Sequence, residues 1–150
     1  PTIRKILEAA IRAPSAGNRQ PWHFVVVRRP EVKQALAQAA YGQEFVAAAT
    51  VVIVVCAEPE RSAARYGDRG RNLYCLQDTA AATEHILLAV TALGLGCCWV
   101  GAFDEQAAAR VLALPNYLRP VAMVPIGQPT RELAAHTRRR PLSEVTSFLE

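Results

Sequence analysis

The apolar residues of this chain change their spacing several times, and each change marks an element. Ile3, Ile6, Leu7, Ala10 and Ile11 recur at helical intervals, with Thr2 placed to cap the run and Pro14 and Gly17 to end it. Residues 23–27 (HFVVV), bounded by Pro21 and Pro30, read as a strand. Residues 31–40 form an Ala-rich helix that stops near Gly42, and residues 50–56 (TVVIVVC) are a continuous β-branched run. Such a run predicts a strand buried on both faces.

Residues 58–72 are charged and carry Gly67 and Gly70, which predicts an exposed excursion or a short irregular helix. One long helix follows over 73–93, apolar nearly all round, and a helix without a clear polar face is buried on several sides. Gly94 and Gly96 end it, a strand begins at 97–100, Asp104 caps a short helix over 105–112, and 121–126 is a further strand. Pro125 marks that last strand as an edge or an irregular one. From Pro129 the chain is polar and extended until Leu142. Strands and helices alternate without a regular βαβ cadence, so the expected fold class is α+β, a mostly antiparallel central sheet flanked by helices. No repeat or linker divides residues 1–150, which read as a single domain.

Composition sharpens this in two ways. A hydrophobic fraction of 51% with 20% charged residues is rich for a lone chain of 150 residues, and a subunit interface would absorb the excess. The net charge of +4 rests on arginine, since Lys5 and Lys33 are the only lysines. Arginine suits phosphate and carboxylate contacts. The basic residues form no stripe with interleaved aromatics, so nucleic acid is not an expected partner. Cys56, Cys75, Cys97 and Cys98 show no metal-ligand spacing, and free thiols in a reducing cytoplasm are expected. No apolar run is long enough to span a membrane and no signal peptide is evident. The chain starts at Pro1 without an initiator Met, which predicts that an N-terminal piece of the natural protein is missing.

Three segments concentrate chemistry. The loop from Pro14 through Ser15, Ala16, Gly17, Asn18, Arg19 and Gln20 to Trp22 gathers hydroxyl, amide and guanidinium groups beside Gly and Pro. Asn18 and Gln20 each offer a donor and an acceptor, as a heterocycle with alternating C=O and N–H groups requires; an ordinary polar turn has the same composition. Gly94 and Gly96 make a G-x-G pair, but the order is helix, glycines, strand, the reverse of a dinucleotide fingerprint. Arg138, Arg139 and Arg140 precede Pro141, which favours extended backbone at Arg140 and puts Arg138 and Arg140 on one side. Two guanidiniums on one face can clamp a phosphate, or belong to a solvated tail. His23, His85 and His136 fall in no nucleophilic triad pattern, Glu84 and His85 read as interface or satisfied core groups, and Asp78 as a residue that favours its helix dipole.

The string APSAGNRQPWHFVVV resembles the signature loop of the FMN-dependent nitroreductase family: alanine-proline-serine, two small residues, then asparagine-x-glutamine-proline-tryptophan leading into a strand. The resemblance continues in register through residues 74–101, like the family's central helix and next strand, 119–129, like its late strand, and 139–142, like its basic segment. It implies a nitroreductase-like fold, homodimeric, with FMN at the subunit interface and NADH or NADPH as electron donor. A nitroaromatic, quinone or similar small acceptor would take the electrons. The implied cofactor-binding residues are Pro14, Ser15, Ala16, Asn18 and Gln20, with Val100, Gly101 and Ala102 from the facing chain, and Arg138 and Arg140 for the phosphate. No catalytic side chain and no metal are implied, because the cofactor carries the chemistry.

One family feature is unmatched. The family usually begins with an arginine-arginine-serine-x-arginine stretch that holds the FMN phosphate, whereas Pro1 stands about where the first helix starts. Two other functions fit the same resemblance: a non-catalytic flavin-binding protein for storage or sensing, or a relative with different flavin chemistry, such as dehalogenation or flavin fragmentation. The latter branches carry lid insertions, for which residues 61–71 are the sole candidate here.

Overall fold

The computed structural model describes residues 2–129 and 137–149. His136 lies outside the described residues. Helix α1 (Thr2–Ala10) leads through the polar loop to β1 (Trp22–Val27); α2 (Pro30–Ala39), α3 (Glu44–Ala48) and β2 (Val51–Ala57) follow. Next come α4 (Pro59–Arg69), a π-helical turn (Gly70–Tyr74), α5 (Cys75–Ala92), β3 (Gly96–Cys97), α6 (Glu105–Val111) and β4 (Arg119–Gly127). Thr2 is itself the first helical residue of α1, not its cap. Pro30 begins α2, where its missing N–H costs nothing. The short α3 was hidden from the sequence pattern because its five residues, EFVAA, make barely one turn.

The sheet order is β1-β2-β4-β3, and every pairing is antiparallel. The continuous apolar run of β2 has the expected cause. Val52, Val54 and Cys56 face a core shared with α2, α3 and α6, while Val51, Ile53 and Val55 face Ile6, Ala10, Ile86 and Val90 of α1 and α5. Side chains alternate across the pleat, so a strand covered on both sides must be apolar throughout.

Of the two readings of Pro125, edge or irregular strand, the second holds: β4 carries a register shift against β2 and an interrupted ladder against β3. Pro125 lies in β4, an interior strand, opposite Val52. Met123 exchanges both backbone hydrogen bonds with Val100, at 2.9 and 3.0 Å. Two residues on, the backbone of Pro125 faces the same side, where Cys98 and Trp99 leave the β3 ladder interrupted. The missing N–H therefore breaks no bond.

Helix α5 ends as its glycines predict. Gly94, at φ +70°, and Leu95 return their N–H groups to Thr91 and Val90 at 3.0 and 3.1 Å, the paired bonds of a glycine-terminated helix. The Asp104 carboxylate accepts from the Ala107 N–H at 2.9 Å and caps α6. Residues 58–72 form the irregular helix that their composition predicts: α4 runs eleven residues, broken at Gly67 (φ +56°, ψ −140°), and passes into the π-helical turn. None of the described helices is long and apolar enough to cross a membrane.

Candidate functional site

The polar loop is a folded object. Asn18 N–H donates to Ser15 O at 2.9 Å and closes a single turn over Ala16–Asn18. The Ser15 hydroxyl oxygen accepts the Gln20 N–H at 3.0 Å, and the Gln20 side-chain amide donates to Asn18 Oδ1 at 3.1 Å. Gly17, Asn18 and Gln20 all have positive φ, at +57°, +53° and +51°. Two of these are not glycine, so the loop stores strain of about 1–2 kcal/mol per residue, which surrounding contacts must hold.

Those contacts come from three directions. The Ala16 N–H points between both carboxylate oxygens of Asp78, at 3.3 Å each. Arg19 Nε donates to Arg61 O at 2.9 Å while Arg61 Nε donates to Arg19 O at 2.7 Å. Pro21 O accepts from Glu58 N–H at 2.9 Å. A Cβ on Gly17 would collide with the Tyr66 hydroxyl, so α4 closes tightly over the turn. With its internal bonds made, the loop leaves Asn18 Nδ2 and Gln20 Oε1 without partners among the described residues. One donor group and one acceptor stand side by side on an exposed surface.

Asp78, like Gln43 and Tyr66, touches a candidate segment, and the sequence pattern missed all three. Asp78 is buried on α5, and burial pushes its carboxyl above the usual range while the Ala16 N–H pulls it back. Its position near the helix start fits a dipole role equally well, so the sequence carried no signal for its distant partner. Glu84 is exposed, and His85 Nδ1 donates to Ala9 O at 3.0 Å, tying α5 to α1.

The second segment is Val100–Ala102. Val100 is buried, and its bonds to Met123 fix where the chain leaves the sheet. Gly101 and Ala102 are exposed, and their N–H groups have no partner among the described residues. A Cβ on Gly101 would meet nothing nearer than Trp99 Nε1 at 3.9 Å, so the backbone is open to close approach by a flat ligand. Gln43 Nε2 donates to Ala40 O at 2.9 Å and Ala102 O at 3.0 Å, which locks this backbone from below.

The loop enters β1 and Gly101 follows β3, the two edge strands of the sheet, whose axes lie three strand spacings or about 14 Å apart. A groove of about 460 Å³ lies at the far end of β3 and β4, among Phe45, Thr50, Cys97 and Ile126, away from both. Arg138 and Arg140 are exposed; the Arg140 guanidinium is turned onto Glu144, with Nε 3.4 Å from Oε2 and Nη2 donating to Glu144 O at 3.1 Å. Pro14 is exposed at the loop entrance.

Comparisons with known proteins agree on one family. The model of the Nitroreductase family matches residues 1–43 and 39–128. The chain is 40% identical over 134 residues to an Archaeoglobus fulgidus protein named, provisionally, NADH dehydrogenase/NAD(P)H nitroreductase, covering 87% of this chain and 74% of that one. It is 34% identical over 170 residues to a Thermus thermophilus NADH dehydrogenase, covering 95% and 82%. A nitroreductase family protein of Streptococcus pneumoniae superposes with a TM-score of 0.88 at 27% identity, over 99% of this chain and 88% of that one. With the four matching sequence blocks and the α+β sheet in hand, the chain belongs to the nitroreductase family.

Proposed function

We propose that this protein is an NAD(P)H-dependent oxidoreductase that passes electrons through FMN to a nitroaromatic, quinone or similar small acceptor, working as a homodimer. The observation that carries this reading is the strained loop Ser15–Gln20, which spends its internal hydrogen bonds on holding one free amide donor and one free carbonyl acceptor at the surface. Such a pair suits the alternating carbonyl and N–H edge of a flavin ring. Gly101 fits the same ligand, because it lacks the side chain that would hold a flat ring away. When bound, FMN supplies two-electron redox chemistry between a reduced nicotinamide and a small electron acceptor.

The chain's own residues bind and orient. Asn18 and Gln20 read the polar edge of the ring. The Gly101 and Ala102 N–H groups, held by Gln43, donate toward it and favour its electron-rich form. Asp78 and Arg61 hold the loop in its strained shape. Loop and Gly101 lie on opposite sheet edges, which supports a ring shared between two chains. Leu88, 59% exposed on α5, and Phe148, 82% exposed on the tail, offer apolar surface for that second chain.

The test is a titration of the full-length protein with FMN, followed by flavin fluorescence, then NADH or NADPH oxidation with a quinone as acceptor. Saturable FMN binding with nucleotide turnover supports the reading. FMN binding without turnover leaves a flavin carrier, and no FMN binding removes the reading altogether.

A further inference from the structure

Four arginines lie in the loop and along α4: Arg19, Arg61, Arg65 and Arg69. Arg19 and Arg61 exchange backbone bonds, Arg65 stacks 5.4 Å from the Tyr66 ring centroid, and Arg69 lies 5.4 Å from that of Tyr74 while donating to its hydroxyl at 3.0 Å. The two rings meet edge to face at 5.2 Å, so Arg65 and Arg69 stand on one aromatic block. Gly17 brings that block against the loop, since Tyr66 and Arg65 are its nearest neighbours.

None of the four has a carboxylate within ion-pair distance among the described residues, although Glu60 and Asp68 lie on the same helix. Both acids are taken by Arg71, which Glu60 binds through two nitrogens at 2.7 and 3.1 Å. Arg19, Arg61 and Arg69 use only Nε internally, and Arg65 makes no hydrogen bond among the described residues, so every terminal nitrogen of the four is unspent there. Stacked arginines with unspent forks are built to take a phosphate bidentately.

We infer that this α4 rim, Arg65 and Arg69 foremost, binds a phosphate of the dinucleotide electron donor. The inference rests on the flavin reading above. It favours the donor over the cofactor's own phosphate because Arg61, Arg65 and Arg69 are exposed. A ligand that must come and go needs an open, charged rim, whereas a resident phosphate is better held in an enclosed cradle. Arg61 also braces the loop, so Arg65 and Arg69 are the residues to change.

The experiment uses FMN-loaded protein and the R65Q/R69Q variant, with NADPH, NADH and reduced nicotinamide mononucleotide as donors. Loss of charge-assisted bonds predicts KM for NADPH rising about tenfold or more, with kcat and FMN affinity unchanged. A rise confined to NADPH places the rim at the ribose phosphate; an equal rise for NADH places it at the pyrophosphate. The mononucleotide should respond least. Unchanged KM values, or FMN affinity falling in parallel, overturn the inference. Wild-type protein that holds FMN but binds no dinucleotide also overturns it, while leaving a flavin-binding protein in place. Wild-type protein that holds no FMN removes both.

Discussion

The Ala16 N–H sits 3.3 Å from each carboxylate oxygen of Asp78, joining the polar loop to the long helix across 62 positions of sequence. Removing the acceptor strands a backbone donor, at a cost of about 1–3 kcal/mol. D78A should therefore weaken FMN binding by about tenfold or more, whereas D78N, whose side-chain oxygen can still accept, should retain most of it. Equal losses in the two variants would show that the charge, not the accepted bond, matters.

The same residue gives a pH dependence of defined sign. Burial raises the Asp78 carboxyl above its ordinary value of 3.8, so the folded protein holds that proton more tightly than the unfolded chain. Stability then falls as pH rises from the unfolded value through the raised native one, and the cost is complete above it. D78N lacks this step. Thermal unfolding should show wild type losing ground to D78N as pH climbs out of the acid range, then running parallel. A constant difference at all pH values would contradict the burial argument.

Gly17 and Gly42 separate backbone strain from collision. Both have positive φ, +57° and +79°, but a Cβ at Gly42 meets nothing within 4 Å, whereas at Gly17 it strikes Tyr66. G42A should cost about 1 kcal/mol for backbone conformation alone. G17A should cost more than G42A and also loosen FMN binding, because the Tyr66 ring, packed edge to face on Tyr74, must move. Urea unfolding midpoints and FMN titrations on the two variants check this.

Gln43 spans two carbonyls, Ala40 O and Ala102 O. Q43A should lower stability by only about 1 kcal/mol, since the lost bonds are largely replaced by water. FMN affinity should fall several-fold, because the backbone after Gly101 loses its brace. Stability loss without any change in flavin affinity would remove Gln43 from the site.

Leu88 probes the second chain. L88E places a charge on an exposed position of α5 and should leave the monomer folded by circular dichroism while shifting sedimentation toward monomer, with FMN binding lost in step. Flavin retained by a monomeric L88E would contradict a site shared between two chains.

The sequence made the layers legible because burial writes itself into residue type. Residues 51–57 could be apolar throughout only if both faces were covered, and Gly94 and Asp104 carry the helix ends in their own chemistry. The signature loop was legible as a pattern, but its bracing was not. Asp78, Gln43 and Tyr66 act on residues 62, 59 and 49 positions away, and no local periodicity encodes such a distance. Pro125 left edge and irregular strand both open for a related reason. Its compatibility with an interior strand depends on a gap in β3 that its own neighbours do not reveal.

The most direct test of the central claim is the anaerobic half-reaction: FMN-loaded protein mixed with NADH or NADPH while flavin absorbance is followed. The account predicts rapid bleaching by at least one nucleotide and return of the yellow colour when a quinone or nitroaromatic is added. Bound flavin that stays oxidised with both nucleotides would contradict it.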